Sequence, residues 1–201
     1  PIVPSRSLAP KLIAAAAEWH LIALLLQRPR PGWHIEVAAL AQEVSNGALR
    51  DAAHAAREAW EGEYLRLVGP GGMVSPREVT YQQFADPGRV LAELAMVYEV
   101  FAFQPRVEEP LDHLGVEAAF VGYLLLKEAF AVAQGNRNAA AETRTVRREF
   151  TTAHLAPFAY AFAERLASAG PSYLSATASL LAARLPAPPA GRAVPFVVGN
   201  D

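Results

Sequence analysis

Apolar residues recur every three or four positions along most of the chain, which is the spacing that predicts amphipathic helices. Ala and Leu dominate these segments, while the alternation of Val, Ile and Thr that is typical of strands is nearly absent. The pattern predicts helices over residues 7–27, 35–44, 48–68, 87–103, 110–134, 136–154, 157–169 and 171–185. We therefore expect an all-α fold, a single-domain helical bundle of about seven to nine helices.

Two segments interrupt the helical pattern. The stretch from Gly69 to Gly88 is rich in proline and glycine, so it cannot be one continuous helix. A loop of this length inside a compact domain is often functional, and we expect either an ordered loop or a linker between two helical halves. The end of the chain is rich in Pro, Ala and Gly. We expect a helical domain over residues 1–185 and an extended or flexible tail over residues 186–201.

Composition excludes several classes of protein. The chain has no cysteine, which excludes disulfides, iron–sulfur clusters, thiolate zinc sites and a cysteine nucleophile. Its formal net charge of -2 argues against a nucleic-acid partner, because phosphate binding needs a basic surface. The apolar run from Leu12 to Leu26 contains Glu18 and His20 and is too short for a membrane span. We therefore expect no stable membrane insertion and a cytoplasmic location.

Acidic side chains concentrate in the middle of the chain, where residues 93–128 hold seven of them against two basic ones. The densest part is a stretch of ten residues that contains Glu108, Glu109, Asp112, His113 and Glu117. If Glu109 caps a helix that starts at Pro110, Asp112 lies in its first turn and complements the helix dipole. Such a surface either attracts a basic ligand or peptide or is an ordinary solvated helix face.

His113 and Glu117 lie four residues apart, so a helix would place both on one face, where they could ligate a metal. Two ligands do not make a site, and neither His-Glu-x-x-His nor Gly-x-Ser-x-Gly occurs in the sequence. Gly69–Gly72 lacks the lysine and the Ser or Thr of a phosphate loop. We expect no catalytic residue, no metal and no cofactor. A metal- or ligand-binding helical enzyme or sensor using His113 and Glu117 stays an alternative, as does a nucleotide-binding regulator using Gly69–Gly72.

Three motifs occur in a fixed order along the chain. The first runs from Tyr64 to Gly71 and continues as Pro76-Arg77-Glu78-Val79-Thr80-Tyr81. The second is Glu109-Pro110-Leu111-Asp112-His113-Leu114-x-x-Glu117-x-x-Phe120, and the third is Thr152-Ala153-His154-Leu155-Ala156-Pro157-Phe158. Together they resemble the TorD/DmsD/NarJ family of molybdoenzyme maturation chaperones over roughly residues 64–185.

The resemblance implies an all-helical cytoplasmic chaperone without catalytic activity. Its implied partner is the apo catalytic subunit of a molybdopterin oxidoreductase, often recognised by a twin-arginine leader peptide. Binding delays export of that subunit and assists insertion of the molybdenum cofactor. The chain would act as a monomer or as a helix-swapped dimer, which the long loop would permit.

A twin-arginine leader is basic and then apolar, so its receptor should offer acidic groups beside an apolar groove. Glu108, Glu109, Asp112 and Glu117 would supply the acidic groups. We expect the groove to be lined by Tyr64, Leu67, Val68 and Tyr81 and held open by a loop that begins at Gly69 and Pro70. Asp112 is the expected direct contact, because arginine pairs bidentately with carboxylates. His113 would bond the leader backbone or orient Asp112.

Overall fold

The computed structural model describes residues 8–82, 86–169 and 172–187, and these contain no strand. The helices are α1 (Leu8–Leu25), α2 (Trp33–Glu43), α3 (Gly47–Ala55), α4 (Glu61–Val68), α5 (Pro87–Val100), α6 (Leu114–Ala133), α7 (Arg137–Phe150), α8 (Ala156–Ala169) and α9 (Ser172–Ala182). The predicted all-α, single-domain fold is confirmed.

Helix α6 lies at the centre of the core, packed along α1. Gly122 permits the close approach of the two helices, because a Cβ there would lie 3.3 Å from the Cβ of Trp19. Helix α7 also packs against α6, while α9 packs against both α8 and α3. The Phe120 ring of α6 contacts Tyr98 and Phe150, with ring centroids 4.8 Å away in each case. The helix that begins in the second motif is therefore anchored firmly in the core.

Helix α1 is apolar enough to resemble a membrane span, in contrast to the expectation from the Leu12–Leu26 run. Its 18 residues have a mean hydropathy of 1.4, and among the described residues it is the one helix that meets the length and composition of a span. Within the fold, 44% of this segment is buried, chiefly by packing on α6. Burial in a protein core accounts for the same apolar composition.

The single helix predicted over residues 48–68 is wrong. Helix α3 ends at Ala55, a 3₁₀ turn covers Ala56–Glu58, and the chain is extended at Trp60 before α4 begins. Trp60, which is four residues from both Ala56 and Tyr64 of the apolar face, is 63% exposed. Its ring lies over Gly62, where a Cβ would overlap it. The apolar spacing survives the break because two short helices present the same face to the core.

The helix predicted to start at Pro110 begins at Leu114 instead, and its N-cap is His113. Glu109 is therefore not the cap, and Asp112 does not lie in the first helical turn as predicted. The reason is that the backbone before α6 is engaged by the loop: the carbonyl of Asp112 accepts a hydrogen bond from the amide of Glu78 at 2.9 Å. A chain paired in this extended way cannot also be helical.

The two helices predicted over residues 136–154 and 157–169 are joined by a turn of π-helix over Thr151–Leu155. The hydroxyls of Thr151 and Thr152 donate to carbonyls four residues earlier, which loosens the backbone ladder there. Pro157 is the second residue of α8, directly after this π turn, and its lack of an amide hydrogen removes one bond of the helical ladder at the junction. Single π turns inside helices are frequent at functional sites, and this one carries His154.

The remaining helix ends differ from prediction by a few residues, which is ordinary fraying. Helix α5 ends at Val100, and α9 ends at Ala182 with turns following to residue 185. The predicted start of the first helix at residue 7, that of the last helix at residue 171 and nearly all of the tail, from residue 188 onward, lie outside the described residues.

Candidate functional site

The loop between α4 and α5 is docked on the segment that precedes α6. Arg77 and His113 form an isolated antiparallel β-bridge. The bridge is flanked by the bond between the amide of Glu78 and the carbonyl of Asp112, and by one from the first amide of α6 to the carbonyl of Pro76 at 2.8 Å. The first and second motifs therefore meet in space, although Arg77 and Asp112 are 35 residues apart in sequence.

Asp112 is held by Arg77 in a two-pronged ion pair. The Arg77 Nη2 and Nε atoms donate to Oδ1 of Asp112 at 2.7 and 2.9 Å, and Nε also lies 3.2 Å from Oδ2. The amide of Val79 donates to Oδ2 at 3.3 Å. None of the Asp112 side chain is exposed, against 38% of the Arg77 side chain. The carboxylate thus fastens the loop to the core, and the guanidinium covers it on the solvent side.

His113 is a neutral structural residue. Its Nδ1 accepts the amide hydrogen of Gly115 at 3.0 Å, which caps α6. The hydroxyl of Tyr64 donates to the carbonyl of Leu26 at 2.9 Å and lies 3.1 Å from Nε2 of His113, so Nε2 is the ring atom that carries the hydrogen and donates to Tyr64. Burial, reinforced by Arg77, lowers the pKa of His113 to about 3. The ring therefore links α1, α4 and α6 without charge.

Glu78 connects the loop to the third motif. Its side chain is fully buried, and its carboxylate oxygens lie 3.2 and 3.3 Å from Nδ1 of His154 in the π turn. The side-chain amide of Gln82 donates to the same carboxylate. All three motifs therefore converge on one buried polar cluster, which consists of Tyr64, Arg77, Glu78, Asp112, His113, Glu117 and His154; we call it the buried cluster.

Glu117 is the unsatisfied member of the buried cluster. Neither carboxyl oxygen has a hydrogen-bond partner among the described residues, and the side chain is fully buried. Burial, with the nearby carboxylates of Glu78 and Asp112, holds the pKa of Glu117 well above its usual range. Glu117 is therefore a neutral carboxylic acid under conditions in which an exposed glutamate is ionised.

The alternatives based on metal or phosphate gain no support from this geometry. Both ring nitrogens of His113 are engaged within the chain. The described residues contain no group of three or more His, Asp or Glu side chains that could hold a metal ion. In the Gly69–Gly72 turn, the amide of Gly69 donates to Leu65 and that of Gly72 donates to Gly69, so two of the amides that could cradle a phosphate are used internally.

A second acidic group lies at the surface, around Arg28. The Nη2 atom of Arg28 lies 2.9 Å from Glu108 and Nη1 lies 3.5 Å from Glu61, while the backbone amide of Arg28 donates to Glu109 at 3.4 Å. The Glu108 side chain is 88% exposed. We call Glu61, Glu108 and Glu109 the acidic patch. Its three carboxylates surround a single cation, so it carries an excess of negative charge.

A cavity of about 650 Å³ opens beside the acidic patch, between α1, α6 and the segment that follows α5. Its apolar wall includes Leu24, Phe103, Val116, Tyr123 and Leu126. Its polar lining includes Gln27 and Arg106. Gln27 precedes Arg28 of the patch, and Val107, which also lines the cavity, follows Arg106. Arg28 and Glu108 of the patch each directly follow a cavity residue, so the patch adjoins the cavity.

The predicted site residues separate into two groups. Asp112, His113, Glu117, Tyr64, Leu67, Val68 and Tyr81 are buried in the core. Glu108 and Pro70 are exposed, and Glu109 and Gly69 are half-buried. The expectation that Tyr64, Leu67, Val68 and Tyr81 line an open groove is wrong, because helix packing and the docked loop enclose these side chains. Their roles, and those of the other predicted residues, in peptide binding stay predictions.

Sequence reasoning missed four residues that organise the site, namely Arg28, Arg77, Glu78 and His154. Three of them lay inside the motifs, but their partners are distant in sequence. Arg77 could have been found from its partner. Asp112 is a carboxylate next to an apolar helix, and a carboxylate that is buried there needs a cation such as Arg77 beside it. Arg28 carried no signal, because it lies in a turn between two unremarkable helices.

The comparisons with known proteins agree with the motifs. The family model described as nitrate reductase delta subunit matches residues 31–164, about two thirds of the chain. The matched range contains α2 to α7, most of α8, and every residue of the buried cluster. The searches of curated proteins and of solved structures gave no match.

Proposed function

The chain belongs to the nitrate reductase delta subunit family, which comprises assembly chaperones for molybdoenzymes, and we propose that it binds the apo catalytic subunit of a molybdopterin oxidoreductase through that subunit's leader peptide. Covering the leader delays export of the subunit and assists insertion of the molybdenum cofactor. The chain acts in the cytoplasm, as a monomer or helix-swapped dimer, with no catalytic step and no cofactor of its own.

The observation that carries this proposal is the acidic patch beside a cavity with an apolar wall. A twin-arginine leader presents two guanidinium groups and then an apolar segment. Glu108 and Glu109 offer carboxylates for the guanidinium groups, which form charge-assisted bonds with them. The wall formed by Phe103, Tyr123 and Leu126 offers a surface for the apolar segment. An acidic surface beside an apolar one suits a peptide whose arginines adjoin an apolar segment.

The buried cluster supports the proposal in a different way. Asp112 and Glu78 fasten the loop through Arg77 and His154, and this fixes the segment that carries Glu108 and Glu109. A preorganised surface loses less conformational entropy when a peptide binds. Gly69 and Pro70 lie at the far end of the same loop and shape its entry from α4.

Calorimetry with a leader peptide tests the proposal. The first client to test is a nitrate reductase catalytic subunit, because the family description names that enzyme. We expect one leader per chain, with an affinity that falls as salt is added, since exposed charges are screened. A matched peptide in which glutamine replaces both arginines should bind at least about tenfold more weakly, the loss expected when charge-assisted bonds are removed.

Purification of the chain from native cells is the companion measurement. A molybdoenzyme catalytic subunit should co-purify with it, and deletion of the leader from that subunit should abolish the association. Recovery of the leaderless subunit in equal amount would show that the mature part, rather than the leader, is the main target. A chain that binds neither leader nor catalytic subunit would overturn the proposal.

A further inference from the structure

We propose that a second cavity, between α2 and α3, binds a small organic oxyanion, and that Arg50, His54 and Arg57 hold its anionic group. The ligand is a phosphate or carboxylate group carried on an apolar body. The cavity shares no residue with the acidic patch or with the cavity beside that patch. The inference therefore does not rest on the proposed function.

The cavity has the size and the apolar floor of a small-molecule site. Its volume is about 410 Å³, within the range of about 300–1,000 Å³ that is typical of such sites. Val37, Ala53 and Ala56 line it and are buried. Ala38 and Ala41 of α2 also line it, and their small side chains leave the space between the two helices open.

The basic residues of α3 are spaced to meet at one point of the cavity. Arg50, His54 and Arg57 follow one another by four and three residues, so they share one face of α3 and the 3₁₀ turn that continues it. All three line the cavity. Each arginine lies about 5–6 Å from His54 along the helix axis, a distance that its long side chain can cover. Both guanidinium groups can therefore reach an anion placed at His54.

Neither guanidinium group is engaged within the fold. In the part of the chain that the structure describes, the side chains of Arg50 and Arg57 have no hydrogen bond and no ion pair, although Asp51 and Glu58 follow them directly in sequence. Consecutive residues of a helix point to different sides, and neither carboxylate lines the cavity. The charged and titratable side chains that do line it are arginines and histidines. The lining thus favours an anion.

His34 holds the two walls of the cavity together. Its Nε2 lies 2.9 Å from the carbonyl oxygen of Ala59, which can only accept, so Nε2 carries the hydrogen and donates it. Its ring also makes an edge contact with the buried ring of Trp33, with centroids 5.0 Å apart. These contacts fix α2 against the segment that follows Arg57. The cavity is therefore preformed, which lowers the entropic cost of binding.

The lining also selects the chemistry of the ligand. Arginine forks bind the paired oxygens of phosphate and carboxylate groups. The apolar floor favours an anion with an apolar body over an inorganic ion. Phenyl phosphate and benzoate combine both features and serve as probes, whereas inorganic phosphate has only the first.

Calorimetry with the whole chain tests the site without any leader or client. Phenyl phosphate or benzoate should bind at one per chain with a Kd of about 1 mM or lower, and the tighter of the two identifies the anionic group. Inorganic phosphate should bind at least about threefold more weakly than phenyl phosphate, because it makes no contact with the floor. A chain that binds neither organic probe overturns the site.

Three variants separate the site from a general attraction of anions. Arg50→Gln with Arg57→Gln should weaken binding at least about tenfold, because charge-assisted bonds are lost. Ala41→Leu fills the cavity from a half-exposed position and should abolish binding in a chain that stays folded. Arg137→Gln with Arg148→Gln removes the same charge from exposed positions on α7 and should bind as the wild-type chain does. Unchanged binding in the first variant, or an equal loss in the α7 variant, overturns the site.

Sedimentation with phosphatidylglycerol vesicles distinguishes a lipid head group from a soluble ligand. The chain should stay in the supernatant, because a cavity of this volume holds a small molecule. Co-sedimentation that requires Arg50 and Arg57 would overturn the small-molecule ligand. None of these results bears on the proposed function, which calorimetry with the leader peptide tests separately.

Discussion

The acidic stretch around His113 has two halves that are close in sequence but differ in their exposure to solvent and in how their charge is compensated. Glu108 and Glu109 lie at the surface with Arg28, and Glu108 is 88% exposed. Asp112 and Glu117, only a few residues later, are fully buried. Asp112 lies against the loop, and Glu117 lies within α6. The surface half has spare negative charge for a partner, whereas the buried half is matched by Arg77 or neutralised by protonation. Under the proposed function, the surface half contacts the leader peptide and the buried half holds that surface in place.

The difference arises where the chain turns inward. After Pro110 the backbone enters the β-bridge with the loop, and α6 begins at Leu114. A carboxylate that enters the core must find a cation or take up a proton, because an isolated buried charge is costly. Asp112 and Glu117 illustrate the two outcomes. Five predictions use this contrast between the buried and surface halves, from the largest change in stability caused by a substitution to the smallest.

Asp112→Ala should cost the most. It strands the half-exposed Arg77 and the amide of Val79, and breaking a buried ion pair costs roughly 3–5 kcal/mol, of which we expect the lower end here. Urea unfolding measures the loss. Glu108→Ala is the matched control in the surface half and should change the free energy of unfolding by less than about 0.5 kcal/mol. Equal losses of stability in the two variants would contradict the difference between the buried and surface halves.

Tyr64→Phe should cost about 1–2 kcal/mol, because it leaves the carbonyl of Leu26 and Nε2–H of His113 without their partner. The ring and its packing stay the same. Tyr160→Phe is a suitable control, since that hydroxyl bonds a carbonyl near the end of the described chain, at Leu185. A Tyr64→Phe variant as stable as the wild-type chain would mean that the hydroxyl does not hold His113 in place.

Glu117→Gln should reduce the loss of stability at rising pH. The pKa of Glu117 is raised in the folded state, so the unfolded chain releases this proton first as pH rises. The contribution of Glu117 to stability is therefore fully present below about pH 4.5 and is lost as pH rises toward its folded-state pKa. Glutamine carries no such proton. We expect the variant to gain stability relative to the wild-type chain between pH 5 and pH 8. Denaturant unfolding at both values checks this, and parallel stability curves would contradict it.

His113 adds the opposite pH dependence, which helps to identify it. Its folded-state pKa of about 3 is depressed, so the unfolded chain takes up this proton first as pH falls. Stability should therefore decline as pH falls from about 6.5 to 3 in Glu117→Gln, whereas in the wild-type chain the opposing contribution of Glu117 offsets this decline above about pH 4.5. A Glu117→Gln variant whose stability rises steadily down to pH 4 would show that His113 is not held neutral.

Much of the fold follows from the sequence, and the exceptions have physical reasons. Helical spacing located most helices. It did not predict the break at Trp60, because the two short helices on either side of the break present the same apolar face to the core. Pro110 and Glu109 mimicked a helix start, while the true cap at His113 depends on the loop bonds of Asp112. The motifs marked the residues of the site. Their burial could not be predicted, because it depends on Arg77 and His154, which pair across 35 and 76 residues.

The surface half supplies the smallest change in stability and the most direct test. The double variant Glu108→Gln with Glu109→Gln should keep its free energy of unfolding within about 0.5 kcal/mol of the wild-type value. Its affinity for a twin-arginine leader in low-salt calorimetry should fall by about 5- to 20-fold. Glu142→Gln with Glu149→Gln removes the same charge from exposed positions on α7 and should bind as the wild-type chain does. Unchanged affinity in the first variant, or an equal loss in the second, would contradict recognition by the acidic patch.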